Sequence, residues 1–152
     1  MMNRRDLLAH SAKLAALMAG AGLLPQMAHA AYNAAAFEAK TMAELAKLLG
    51  GSAPAESKDV TVTGPDIAEN GAVVPIAVAT TLPGVKRLLV LVEKNPSVLS
   101  AMFYVSDSVD ANFSTRVKMG QSSNVYAVAL MGDGKMLFAQ KEVKVTLGGC
   151  GG

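Results

Sequence analysis

The spacing of hydrophobic positions changes once along this chain. From Asn33 to Leu49, Phe37, Leu45 and Leu48, with Met42 and Leu49 beside them, form an apolar face at three- and four-residue spacing, the period of one face of an α-helix. Asn33 supplies an N-cap and Gly50-Gly51 a stop. Glu38, Lys40, Glu44 and Lys47 fall on the opposite, solvated face. The pattern therefore predicts one helix within residues 31–51, followed by a linker over 52–57 that contains Pro54.

From Lys58 the period shortens to that of strands. Seven are predicted across 58–147: Val60–Thr63, Val73–Thr80, Arg87–Glu93, Val98–Ser106, Phe113–Met119, Val125–Met131 and Lys135–Leu147. Turn signals separate them: Gly64-Pro65, Asn70-Gly71, Pro83-Gly84, Asn95-Pro96, Gly120 and Gly132-Asp133-Gly134. Short strands at even spacing, with no helices between them, argue an antiparallel β-sandwich. Alternation slips near Gln140-Lys141, which predicts a bulge there. Pro75 within a strand predicts an edge or a bulge.

Two strands are apolar on both faces, Leu88–Val92 and Val125–Met131. A small two-layer sandwich normally wets one face of each sheet. The extra apolar face needs a cover, and two are open: the preceding helix, or a partner chain.

Residues 1–30 read as an export leader. Arg4-Arg5 form a short basic segment, an apolar run follows from Leu14 to Leu24, and Ala28-His29-Ala30 gives a small-x-small cleavage site. The run is short for a membrane span. Asn3-Arg4-Arg5-Asp6-Leu7-Leu8 resembles a twin-arginine signal, the bacterial route for folded cargo. The expected mature chain begins near Ala31, in the periplasm.

Removing the leader changes the charge. Without Arg4, Arg5, Lys13 and Asp6, the 14 basic and 12 acidic residues become 11 of each. A neutral chain is a poor nucleic-acid binder. Both histidines, His10 and His29, leave with it. The mature chain thus lacks imidazole, which excludes Ser-His-Asp and Cys-His catalysis and the usual Cys/His zinc sites. No cofactor or metal site is expected, and no acidic loop has calcium-ligand spacing.

One cysteine stands in the sequence, Cys150, within Gly148-Gly149-Cys150-Gly151-Gly152. Glycines on both sides leave the thiol unshielded and the chain around it permissive, so 148–152 is expected to form a flexible arm. Cys150 lies three residues beyond Leu147, a reach of about 10 Å, enough to enter a cleft in another protein. No neighbouring group activates it, so the thiol keeps a reference pKa near 8.5. A lone cysteine in an exported chain stays free, pairs between chains, or carries something. Three readings follow. The arm presents a covalently held group to other catalysts; or a structural sandwich is cross-linked through a Cys150 disulfide; or Gly151-Gly152 serves as a terminal thiocarboxylate.

The segment Lys141–Gly152 is similar to the end of the SoxY family, the sulfur-carrying subunits of bacterial thiosulfate oxidation. Ile67–Ile76, Lys94-Asn95-Pro96 and Met119-Gly120-Gln121-Ser122-Ser123 resemble the same family, as do the leader and the N-terminal helix. Pro65-Asp66-Ile67 departs mildly from an expected Pro-Glu-Ile. The resemblance implies an immunoglobulin-like sandwich paired with SoxZ, a second β-sandwich subunit. It implies that Cys150 is joined to thiosulfate by a haem-containing SoxXA enzyme. A dimanganese SoxB hydrolase would then release sulfate, and SoxCD would oxidise the remaining sulfur where present. The chain itself would be a carrier, not an enzyme.

Overall fold

A computed structural model describes residues 3–20 and 33–146. They fall into two units, divided after Tyr32. In the first, α1 (Arg4–Gly20) is a single helix. It covers the basic segment and the start of the apolar run read as a leader; the expected cleavage site lies outside the described residues. No helix among the described residues is long and apolar enough to cross a membrane.

The second unit opens with two short helices where one was expected, α2 (Ala34–Glu38) and α3 (Met42–Leu48). The break is written in Thr41-Met42-Ala43-Glu44, a capping-box sequence. Thr41 Oγ1 accepts a hydrogen bond from the Glu44 amide at 3.1 Å, and the Glu44 carboxylate accepts one from the Lys40 amide at 2.9 Å. A cap must leave the helical conformation, so Ala39 and Thr41 are extended and the single helix is interrupted. Gly50, with φ of 71°, closes α3 as a left-handed C-terminal cap.

Nine strands follow among the described residues: β1 (Ala55–Glu56), β2 (Val60–Thr63), β3 (Ile67–Ala68), β4 (Val74–Thr80), β5 (Val85–Val92), β6 (Leu99–Tyr104), β7 (Asn112–Val117), β8 (Ser123–Met131) and β9 (Met136–Val145). They make an immunoglobulin-like sandwich of two sheets. The larger runs β1-β9-β8-β5-β6, with β3 also on β9; the smaller runs β2-β4-β7. The seven expected strands are present. The segment read as a linker contributes β1, and the Pro65–Asn70 turn region contributes β3. Both are two residues long and pair parallel to β9, against Leu137-Phe138 and Lys144-Val145 respectively.

The doubly apolar strands lie between two cores. Leu88, Val90, Val92, Val125, Ala127 and Ala129 face the smaller sheet. Leu89, Leu91, Val128 and Leu130 face the other way and are buried with Ala36, Ala39, Leu45 and Ala46 of the helical segment. The cover for the second face is therefore α2–α3, giving three layers.

The bulge expected at Gln140-Lys141 is absent. Register between β8 and β9 is unbroken from Ser123↔Val143 to Leu130↔Met136. Leu137, Ala139, Val143 and Val145 all face the inter-sheet core, and Lys141 keeps the same phase. On the other face Met136 and Phe138 lie in the helix-side core, whereas Gln140 and Glu142 are exposed. The apparent slip marks the end of the helical cover. The irregularities sit on β5 instead, at Val90/Leu91 against β6 and Val85/Arg87 against β8.

Pro75 occupies the central strand of the smaller sheet, opposite Arg116. Antiparallel residues alternate in which neighbour they bond. The Thr80 amide bonds to Ala111 O of the chain entering β7, so Pro75 points its nitrogen toward β2. β2 ends at Thr63, opposite Ala77, and the hydrogen that proline lacks had no strand to meet.

Candidate functional site: the end of the last strand

Every segment singled out in the sequence body converges where β9 ends. The amides of its last two residues and of Thr146, which follows it, are each tied to a different neighbour. Lys144 N–H donates to Asp66 O at 3.0 Å, and Thr146 N–H to Ala68 O at 3.1 Å. Between them, Val145 N–H donates to Ser122 Oγ at 2.9 Å. The Ile67–Ile76 segment thus holds one side of the strand end, and Met119–Ser123 the other.

These two segments are joined to each other. Met119 N–H donates to Gly71 O at 2.7 Å. A side chain at Gly71 would put its Cβ 2.4 Å from Met119 O and 2.9 Å from Val145 Cγ1. Glycine is required here by close approach of backbone, not by its φ. Asn70 shapes the approach, its side-chain oxygen accepting from the Ala72 amide at 2.9 Å. Lys94-Asn95-Pro96 joins from the β5–β6 turn. Lys94 N–H donates to the buried Ser123 Oγ at 3.1 Å, and Asn95 Nδ2 to Lys118 O at 2.7 Å.

One ion pair lies across this assembly. Lys141 Nζ is 2.6 Å from Asp66 Oδ1. The hydrogen bond from Lys141, then its charge, hold the Asp66 carboxyl below the ordinary carboxylate range. Ile67, between the Asp66 and Ala68 contacts, exposes 57% of its surface. The strand end is therefore fixed in backbone while an apolar side chain beside it faces solvent.

The expected site residues, Gly148, Gly149, Cys150, Gly151 and Gly152, lie outside the described residues. Cys150 stands four residues beyond Thr146, a span of at most about 14 Å. No cysteine or histidine occurs within 33–146, and the described residues contain no group of three or more metal-ligating side chains. The larger cavities of the described body lie elsewhere. One of about 630 Å³ is at the opposite end, beside Asp59, Asp107 and Asp110. Another, about 430 Å³, lies between α3 and the face of the larger sheet, against Met42, Tyr126 and Phe138. Burial, with the Glu93 charge beside it, raises the Tyr126 hydroxyl above its ordinary value.

The clamp is what sequence reasoning missed. Its strand β3 is too short to show periodicity, and the signal that could have revealed it is Asn70-Gly71, which forms the expected turn, with Val73 N–H donating to Asn70 O at 3.3 Å, and is also a close backbone crossing.

The arrangement defines an immunoglobulin-like β-sandwich, and the one cysteine of the sequence stands four residues beyond the last described residue. A family model for "Sulfur oxidation protein SoxY" matches residues 45–150, a range ending on Cys150. The chain belongs to the SoxY family. Among solved structures, it is similar to the sulfur carrier protein SoxY of Chlorobium limicola f. thiosulfatophilum. Identity is 36%, the TM-score is 0.61, and the match covers 68% of this chain and 93% of that one. A superoxide reductase (neelaredoxin) of Ignicoccus hospitalis matches at 15% identity and TM-score 0.51, over 57% of this chain and 79% of that one, a likeness of fold alone. The comparison with curated proteins gave no match.

Proposed function

We propose that this chain is a periplasmic sulfur carrier of a thiosulfate-oxidising system, holding pathway intermediates covalently on Cys150. The observation that carries the reading is the sole cysteine of the sequence, set among glycines four residues beyond Thr146, where the amides of Lys144, Val145 and Thr146 are each bonded. Support comes also from the family and from a 36% identical structure described as a sulfur carrier protein.

In this reading the body does no chemistry. A haem enzyme of the SoxXA type joins the Cys150 sulfur to the terminal sulfur of thiosulfate, and the two electrons released by forming the S–S bond leave through the haem. A SoxB-type hydrolase adds water across the far sulfur–sulfonate bond, releasing sulfate and a proton and leaving a persulfide on Cys150. A SoxCD-type enzyme oxidises that sulfur further where the host has one. A SoxZ-like sandwich is the expected companion subunit, and the twin-arginine leader would export the folded pair. Gly148, Gly149, Gly151 and Gly152 let the arm pass through narrow openings.

Intact-mass spectrometry of the protein from thiosulfate-grown cells tests this. Adducts of sulfur and oxygen atoms are expected on the wild type and absent from Cys150→Ser. An unmodified thiol throughout, or adducts that survive the substitution, would overturn the proposal.

A further inference from the structure

Five asparagines lie within 33–146, and four have their carboxamide engaged in the fold. Asn33 and Asn70 accept from the Ala36 and Ala72 amides. Asn95 and Asn124 donate to Lys118 O and to the Glu93 carboxylate. Asn112 is the exception. It is exposed, and among the described residues its carboxamide has no hydrogen-bond partner.

Asn112 also opens Asn112-Phe113-Ser114, the acceptor pattern for N-linked glycosylation of exported proteins. The other Asn-x-Ser of the chain, Asn95-Pro96-Ser97, has the proline that this pattern forbids, and Asn95 belongs to the clamp. Two positions before Asn112 stands Asp110, also exposed. Bacterial oligosaccharyltransferases read an acidic side chain at that place.

The fold presents these three residues from one side. Strand β7 starts at Asn112, and its exposure alternates so that Asn112 and Ser114 lie on the outer face. Phe113 points the other way, stacked on Phe103 at 4.5 Å and 3°, and anchors the pattern in extended form. Strand β7 is an edge of the smaller sheet. Thr80 N–H bonds to Ala111 O, so the alternation turns the main-chain groups of Ser114 away from β4. Asn112 N–H donates locally, to Asp110 O at 2.8 Å.

The sheet beside the acceptor is low. Asn112 is opposite Ala79, which is opposite Thr61; Ser114 is opposite Ala77, which is opposite Thr63. Alanine is disfavoured in strands, and two of them here leave a shelf without a large side chain. Asn112 also lines the cavity of about 630 Å³ at the end of the body away from the clamp.

We propose that Asn112 is the acceptor of an N-linked glycan, attached in the periplasm by an oligosaccharyltransferase of the host. The proposal rests on the export part of the proposed function, not on the chemistry of Cys150. Asn112 Nδ2 bonds to the anomeric carbon of an oligosaccharide carried on a lipid pyrophosphate. The anomeric C–O bond breaks, the lipid pyrophosphate leaves with the electron pair, and Nδ2 gives up one proton. Nothing is oxidised or reduced. The Ser114 hydroxyl and the Asp110 carboxylate are the groups the transferase recognises. A glycan here covers the open edge of β7 and leaves the strand end at Thr146 clear.

The test is peptide mass spectrometry of the full chain, carrying Cys150→Ser and expressed in its own host, from the periplasmic fraction. The Asn112 peptide is expected to be heavier by whole sugar residues, with fragmentation placing them on Asn112. Asn112→Gln, Ser114→Ala and Asp110→Ala, all at exposed positions, should each lose the added mass. Ser114→Thr, which keeps the hydroxyl, should retain it. A mature periplasmic chain with a bare Asn112 overturns this proposal alone, as does sugar that survives Asn112→Gln. A chain found in the cytoplasm with its leader uncleaved overturns the export reading and this proposal together.

Discussion

Lys141 and Asp66, 75 residues apart, meet at 2.6 Å across the seam between β9 and the strand-like segment beside it. Lys141 keeps the core-facing phase of β9, yet its ammonium reaches an exposed carboxylate. The pair fastens the segment that receives the Lys144 and Thr146 amides.

The carboxyl of Asp66 titrates below its ordinary value of 3.8 because Lys141 bonds and attracts its charged form. A depressed folded-state value means the contribution is complete above that ordinary value and is lost as pH falls through the lower, folded one. An NMR carboxyl titration is expected to show the depression in the wild type and its disappearance in Lys141→Met. Asp66 is exposed, so the global stability change should be small.

Gly71→Ala forces a methyl group against Met119 O and Val145 Cγ1. Backbone cannot yield as a flexible side chain would, and a loss of about 1–3 kcal/mol is expected. Urea denaturation measures it, and faster exchange of the Val145 and Thr146 amides would place the damage at the strand end.

Thr41→Ala removes the hydroxyl that accepts from Glu44 N–H. The expected loss is about 0.5–2 kcal/mol, read as a lower urea midpoint with an unchanged slope. Leu45, fully buried between α3 and the larger sheet, should cost more when truncated. Leu45→Ala is expected to lose about 2–5 kcal/mol and to expose the faces of Leu89 and Leu91 to a hydrophobic dye.

Deleting Gly148 and Gly149 would bring Cys150 within two residues of Thr146 and cut its span from about 14 to about 7 Å. Alkylation by iodoacetamide should persist, while sulfur transfer to partner enzymes falls by about 10²-fold, the scale of a misplaced reacting group. A thiol acting only in a static disulfide would keep its cross-link.

The strands were legible because each has enough residues to show its period, and turn residues bound them. Where reading failed, the cause was local. Thr41-Met42-Ala43-Glu44 carries a capping signal inside an otherwise continuous helical spacing, so apolar periodicity hid the break. Lys141 looked like a fault in alternation because its charge concealed a core-facing position. Ala55-Glu56 and Ile67-Ala68 pair through backbone over two residues each, and backbone pairing leaves no mark on side-chain pattern at that length. Cys150 stood out in the sequence by its glycine neighbours alone, without help from the fold; the clamp behind it is a tertiary feature built from four separate segments.

The parallel straps on β9 have a consequence for the order of assembly. Ala55 pairs with Leu137, and Ile67 with Lys144, so early parts of the sandwich wait for the final strand before their edges are satisfied. Such distant pairings form late. A ribosome must therefore release nearly everything before the body can close, and a copy ended before β9 would leave the edges of β1 and β3 without a partner.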